Sequence, residues 1–419
     1  MTACRAVLVS APASGQGKTL VTAALARAWR NQGLRVQAFK CGPDFLDPMI
    51  LELATGHPVY QLDFTMCGET DCQAQLYKAA QQADLIIIEG VMGLYDGTPS
   101  SADIATRFDV PVLITIDAGG MAQTFGAVAS GLLNFNPKLK SAGTFANKVG
   151  SQGHADLLRS SLPTGIAWFG ALQKNPQFAL PERHLGLFRA GEIGNLDDII
   201  EAAANALATD LPLPPMVSFS QPAKQTYPQL LANKTIAIAK DDAFCFIYQA
   251  NLDWLIEMGA TLTYFSPLHD TALPDADAYW LPGGYPELHL REISKNTAMK
   301  NALQQAAIAH KPILAECGGM MALSASINGN PAFNVLPGNS QIHDKLQGLG
   351  AIKVTLADGE IGSHTFHYGS FATPLTPSYI AKTRFGKAEN IYQHGSITAS
   401  FLHFYFASNP QVAARLFLS

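Results

Sequence analysis

The chain has 419 residues, which at about 150 residues per domain makes two or three domains, large enough to bury cores without disulfide or metal staples. Apolar residues make up 48% and charged residues 15%, and 28 Lys and Arg against 33 Asp and Glu leave a net charge of −5. That balance excludes wholesale disorder and argues against a nucleic-acid partner.

Ala6 to Ser10 reads as a strand, Lys18 to Gln32 as a helix closed by Gly33, and Arg35 to Lys40 as a second strand, which together make a βαβ unit. The apolar run at Ala6 is too short for a signal peptide, and no run approaches the ~20 residues a membrane helix needs, so no membrane partner is expected. Six cysteines, Cys4, Cys41, Cys67, Cys72, Cys245 and Cys317, are scattered along the chain. That usage fits a reducing cytoplasm better than a disulfide framework. Further buried-strand runs at Asp84 to Glu89, Val110 to Asp117 and Ser141 to Asn147 alternate with helix-length segments, the pattern of a parallel sheet covered on both faces.

Between the first strand and first helix lies Ala13-Ser14-Gly15-Gln16-Gly17-Lys18-Thr19, the GK[ST] end of a P-loop in its strand-loop-helix context. Gly15 and Gly17 let backbone N–H groups approach phosphate oxygens. Lys18 supplies a point charge for the β/γ-phosphates of ATP, and the Thr19 hydroxyl is a ligand for Mg²⁺. Pro12 stands where the first glycine of the motif usually is. Mg²⁺ takes oxygen ligands and one or two carboxylates, for which Asp44, Asp47 and Glu89 are the candidates. Asp44 and Asp47 follow the second strand, where turn or helix capping is the alternative use of such residues. Glu89 follows three isoleucines, a position that buries a carboxylate at high cost unless it is paired, metal-bound or hydrated. Asn147, closing another strand, is a candidate for an adenine edge or a turn.

Residues 1–209 therefore form a first α/β domain, and 210–232, with five prolines between Asp210 and Pro228, an extended connector. A second α/β domain spans 233–419, with strands at Thr235 to Ala239, Thr261 to Phe265, Ala278 to Leu281 and Pro312 to Ala315, and a helix closed by Gly259. There Pro312-Ile313-Leu314-Ala315-Glu316-Cys317-Gly318-Gly319 reads strand, sharp turn, helix: a nucleophile elbow with a thiol. The helix start is expected to lower the Cys317 pKa. His403 is the expected base, with His364, His367 and His394 as competitors. Gly283-Gly284 is a candidate source of a second oxyanion donor.

Five segments together resemble one family: residues 42–48 (GPDFLDP), 181–187 (PERHLGL), 242–246 (DAFCF), 282–287 (PGGYPE) and 316–319 (ECGG). The chain resembles the cobyrinate a,c-diamide synthases, glutamine-dependent enzymes of cobalamin biosynthesis. The resemblance implies a dethiobiotin-synthetase-like P-loop domain followed by a class I glutamine amidotransferase-like domain. It also implies ATP and glutamine as co-substrates, Mg²⁺, and a corrinoid substrate amidated at its a and c carboxylates through acyl phosphates. On this basis Lys18 and Thr19 match phosphate and Mg²⁺ binding, Asp44, Asp47 and Glu89 the acidic synthetase groups, Cys317 the nucleophile and His403 the base. Two departures stand out. Tyr405 occupies the place of the glutamate two residues after the histidine of class I enzymes, and the family's Gly-His-Glu-Phe-His-Tyr segment is Ser363-His364-Thr365-Phe366-His367-Tyr368 here. Related readings are a nickel-sirohydrochlorin a,c-diamide synthase or cobyric acid synthase; from another class, a P-loop regulatory protein with an inactive amidotransferase module.

Overall fold

The computed structural model describes residues 1–178, 180, 182, 183, 186, 187, 189–223, 227–383, 386 and 388–418. Contacts divide the chain into two compact units, residues 1–64 with 69–223, and residues 65–68 with 224–419.

In the first unit seven strands run parallel in the order Tyr60–Leu62, Val36–Cys41, Leu85–Glu89, Thr2–Ser10, Val112–Asp117, Ser141–Val149 and Trp168–Gln173. Val7, Val9, Leu85, Ile87 and Leu113 share one apolar cluster, while Ala6, Leu8, Ile86 and Ile88 between them are also fully buried. Both faces of the sheet are thus covered, which is why these strands read as unbroken apolar runs. Each such Val, Leu or Ile side chain contributes about 1.5–3 kcal/mol of burial. Helix Lys18–Asn31 packs Val21, Leu25 and Trp29 into the same cluster. It ends where Gly33 turns to φ +90°, with Gly33 N–H donating to Arg30 O and Leu34 N–H to Trp29 O, the paired bonds of a Schellman stop.

Met216–Phe219 pairs antiparallel with residues 2–5, so part of the proline-rich 210–232 stretch is a sheet strand as well as a connector. The 181–187 segment falls mostly outside the described residues, apart from the paired backbone of Glu182–Arg183 and Gly186–Leu187.

The second unit has its own sheet, ordered Thr261–Phe265, Thr235–Ala239, Ala278–Leu281, Ile313–Glu316, Ile397–Ser400, Ala388–His394 and Tyr379–Lys382. The first five strands are parallel and the last two antiparallel. Alternate residues diverge to two cores: Ala237, Tyr279, Leu281, Ile313 and Ala315 join one, while Ile236, Ile238, Trp280 and Leu314 join the other, the period-2 split of a strand buried on both faces. A long hairpin, Gly348–Leu356 with Gly359–His367, carries His403–Phe404 as a third antiparallel strand. No helix among the described residues is long and apolar enough to cross a membrane.

Candidate active sites

Sheet register assembles the first site. Thr2–Ser10 and Leu85–Glu89 are neighbours with Val9 opposite Glu89, and Lys40 is opposite Glu89 on the other side. The P-loop, Lys40 and Glu89 therefore share the carboxyl end of a parallel sheet, where open α/β folds bind ligands. Gly17 opens the first helix at φ +81°, and a Cβ there would collide with Asn147 Nδ2. That amide donates to Gln16 O at 2.9 Å, so Asn147, the candidate for an adenine edge or a turn, braces the P-loop backbone.

Lys18 Nζ donates to Met92 O at 2.7 Å and Ala13 O at 3.3 Å, curling the lysine over its own loop. Burial, then the nearby Lys40 ammonium, lowers its pKa. Thr19 Oγ1 donates to Glu89 Oε1 at 2.7 Å. Glu89 is fully buried, and its other oxygen, Oε2, has no hydrogen-bond partner. Burial and the Asp47 charge push the carboxyl up to about 7.

Asp44 has the capping role that was its alternative from sequence: its Oδ1 accepts from Leu46 N at 2.8 Å and Asp47 N at 3.2 Å, at the start of helix Leu46–Thr55. Burial and the neighbouring Asp47 charge raise its pKa. Asp47 lies 2.9 Å from Lys40 Nζ. Burial alone would raise Asp47, but Lys40 and hydrogen bonds from Lys40, Asp44 and Thr19 outweigh it, so the carboxylate is held below its ordinary range.

Lys40 is the residue that sequence reasoning passed over. It is 2% exposed and reaches Asp47, Glu89 Oε1 at 3.4 Å and Gly90 O at 3.1 Å. Burial alone would lower it, but Glu89, Asp47 and Asp44 keep it charged. The available signal was a lysine ending a buried strand directly before Cys41-Gly42-Pro43-Asp44, a place where an unpaired ammonium is costly.

Around Cys317 the second site is built by the elbow. The cysteine has φ 47° and ψ −108° between strand Ile313–Glu316 and helix Gly318–Leu323, a strained conformation of the kind stored at functional turns. Its N–H donates to Ser400 O at 2.7 Å. The expected lowering of the thiol pKa does not occur. Burial, reinforced by the Glu287 and Glu389 charges, pushes it up, outweighing the Gly318 N–H at the start of a six-residue helix. Attack by a thiol whose ionisation burial disfavours calls for a base beside it.

His403 lies on the short strand His403–Phe404 and is 2% exposed. Burial and then His364 and His367 hold its pKa well below the ordinary range, so the imidazole is a neutral acceptor. Loop residues Gly283 and Gly284 join it to the elbow: a Cβ on Gly283 would collide with the His403 ring, and one on Gly318 would lie 3.0 Å from Gly284 N. Thus the 283–284 backbone, the base and the elbow are packed against one another.

Glu316 has a structural task that the sequence did not disclose. Its Oε1 accepts from Phe404 N at 2.9 Å and its Oε2 from Trp280 Nε1 at 3.0 Å. The residue before the nucleophile thereby pins the backbone that carries the base. Burial raises its carboxyl to about 8. Of the competing histidines, His364 stacks on His403. His367 Nε2 pairs with Glu389 at 3.1 Å, and its ring lies flat on Phe401. His394 is at the end of strand Ala388–His394 and exposed.

A P-loop at the carboxyl end of one unit's parallel sheet, and in the other unit a cysteine elbow beside a buried histidine, define a nucleotide-binding glutamine amidotransferase. The family model described as the CobQ/CobB/MinD/ParA nucleotide binding domain matches residues 7–188, and that of the CobB/CobQ-like glutamine amidotransferase domain matches residues 235–411. A hydrogenobyrinate a,c-diamide synthase of Stutzerimonas stutzeri is 51% identical over 99% of this chain and 98% of its own length. One from Pseudomonas aeruginosa is 50% identical over 99% and 97%. A cobyrinate a,c-diamide synthase of Herminiimonas arsenicoxydans is 45% identical over 99% and 96%. The chain belongs to the cobyrinate and hydrogenobyrinate a,c-diamide synthase family.

Proposed function

We propose that this protein is an ATP- and glutamine-dependent ligase that converts the a and c carboxylates of a corrinoid acid to amides, in the cytoplasm. The observation that carries the reading is the presence of both half-sites, Lys18–Thr19–Glu89 and Cys317–His403, on a chain alike to these synthases over 99% of its length. The two relatives sharing about half its residues are named for hydrogenobyrinate, which favours the cobalt-free acid over cobyrinic acid as substrate.

The chemistry follows from the leaving group. A carboxylate does not react with ammonia in water because oxide is expelled too poorly. Transfer of the γ-phosphoryl of ATP makes an acyl phosphate, from which ammonia displaces phosphate. P-loop N–H groups and Lys18 would cradle the phosphates, and the Lys40 ammonium would balance charge beside them. Mg²⁺ keeps several waters around one or two carboxylates, so it would draw on hydroxyl, phosphate and water oxygens as well. The partnerless Glu89 Oε2 beside Thr19 fits such an ion. Thr19, Glu89 and Asp47 are the residues that would hold it. When bound, the ion offsets phosphate charge.

At the other site, Cys317 Sγ attacks the glutamine amide carbon while His403 takes the thiol proton. The same proton goes to the departing nitrogen, releasing ammonia and leaving a thioester that water hydrolyses to glutamate. The N–H groups of Gly318 and Gly284 are suited to the oxyanion.

The test is product analysis of the purified chain with ATP, Mg²⁺ and glutamine, offering hydrogenobyrinic acid, cobyrinic acid and nickel-sirohydrochlorin in parallel. Two acid-to-amide conversions on hydrogenobyrinic acid are expected. Conversion of the nickel tetrapyrrole alone would overturn the corrinoid assignment.

A further inference from the structure

Class I enzymes place a carboxylate two residues after the histidine; here Tyr405 stands at that position, fully buried. A second imidazole lies against the base. His364 is directly opposite His403 in the antiparallel register of Gly359–His367 with His403–Phe404, and the two rings stack at 4.7 Å between centroids with 13° between planes. Both residues are 2% exposed. His364 Nδ1 is also 3.0 Å from the Tyr248 hydroxyl. The Tyr248 ring in turn meets Tyr405 edge-on at 5.9 Å. Side chains facing each other across an antiparallel pair are the closest neighbours a sheet provides, so the strand register itself sets the plane of the base.

We propose that His364, oriented by Tyr248, is a positioning residue for His403, setting its imidazole plane by ring stacking where a carboxylate would otherwise set it by hydrogen bonding. The proposal rests on the Cys317–His403 reading above and assigns a task to the Ser363–Tyr368 segment. A carboxylate orienter works by accepting from the imidazole and favouring the imidazolium. A stacked ring cannot accept in that way, but it restricts rotation about the histidine side-chain torsions and excludes water from one face. It must itself stay uncharged, since a second cation parallel to His403 would oppose protonation of the base. Burial achieves this, pushing His364 down to about 3.

The experiment uses the full chain and measures glutamate release from glutamine for wild type, Cys317→Ser, His364→Ala, His364→Phe and Tyr248→Phe. Ammonia-supported amidation and thermal midpoint are followed as folding controls. His364→Ala is expected to lose at least about tenfold in kcat with KM changed by less than about threefold, the pattern of a lost transition-state alignment. His364→Phe, which keeps a ring in the stack, is expected to recover most of that loss, and Tyr248→Phe to lose about threefold. If His364→Ala does not fold, the other two variants carry the test. The proposal is overturned if His364→Ala retains kcat within about twofold of wild type, or if the phenylalanine variant is as impaired as the alanine one while ammonia-supported amidation persists. A wild-type chain that releases no glutamate, or a Cys317→Ser chain that still does, overturns the amidotransferase reading itself and this proposal with it.

Discussion

Glu316 and Cys317 are adjacent in sequence yet do different work, and each carries a prediction. Cys317→Ser exchanges a thiol for a poorer nucleophile in the same strained turn, so glutamine hydrolysis should fall by about 10³-fold or more while ammonia-supported amidation continues; paired assays with glutamine and ammonium salts check this. Glu316 is expected to make stability depend on pH. Burial raises its carboxyl from 4.5 to about 8, so the folded chain keeps a proton that the unfolded chain releases. That contribution is complete below about pH 4.5 and is lost as pH rises through the folded value. The thermal midpoint of wild type relative to Glu316→Gln should therefore decline between about pH 5 and pH 8.5; an unchanging difference would contradict the burial argument. The places of Lys18, Thr19, Glu89 and Cys317 as candidates were legible in the sequence because their signals are local: a glycine-flanked GKT, a carboxylate after an isoleucine run, a cysteine at a strand-to-helix turn. Glu316 acts on Phe404, 88 residues away, and Tyr248 meets His364 across 116. Contacts of that kind depend on sheet order, which motif spacing does not encode. Lys40 was hidden differently, since its chemistry appears only when Asp47 and Glu89 converge on it.

Secondary elements differ in how plainly the sequence announces them. The helix ends at Gly33 and Gly259 were readable because a left-handed closing residue favours glycine, and both glycines do adopt φ near +90°. The hairpin Gly348–Leu356 with Gly359–His367 was not anticipated. Several of its residues alternate between buried and exposed, and glycines interrupt both strands, which weakens a periodicity signal. The extended 210–232 stretch holds a strand the sequence did not announce: Met216–Phe219, four residues between prolines, is stabilised by pairing with the amino-terminal strand. At the P-loop, element geometry makes its own prediction. Gly17→Ala forces a side chain onto a residue at φ +81° and into Asn147. ATP affinity should drop by at least about tenfold, measured by nucleotide titration, with glutamate release from glutamine preserved. Unaltered ATP binding would mean that the loop does not hold the nucleotide in this conformation.

The whole molecule is two α/β units, each with its own largely parallel sheet and its own reactive groups at the carboxyl ends of parallel strands. The alternation of strands and helices made that class legible from sequence, as did the restart of the pattern after the prolines. The division implies separable half-reactions: Lys18→Ala should abolish ATP-dependent amidation with either nitrogen source yet leave glutamine hydrolysis measurable, as parallel ADP and glutamate assays would register. The central claim is that ATP bound at one site activates a corrinoid carboxylate and that glutamine opened at the other supplies its nitrogen. Its most direct test is incubation of wild-type protein with ATP, Mg²⁺, hydrogenobyrinic acid and glutamine labelled with ¹⁵N in the side-chain amide, followed by mass spectrometry of the corrinoid and counting of ADP. The account predicts two labelled amides per corrinoid, with one ADP formed for each. Label that remains in free ammonia while the corrinoid stays an acid, or amides formed without ADP, would contradict it.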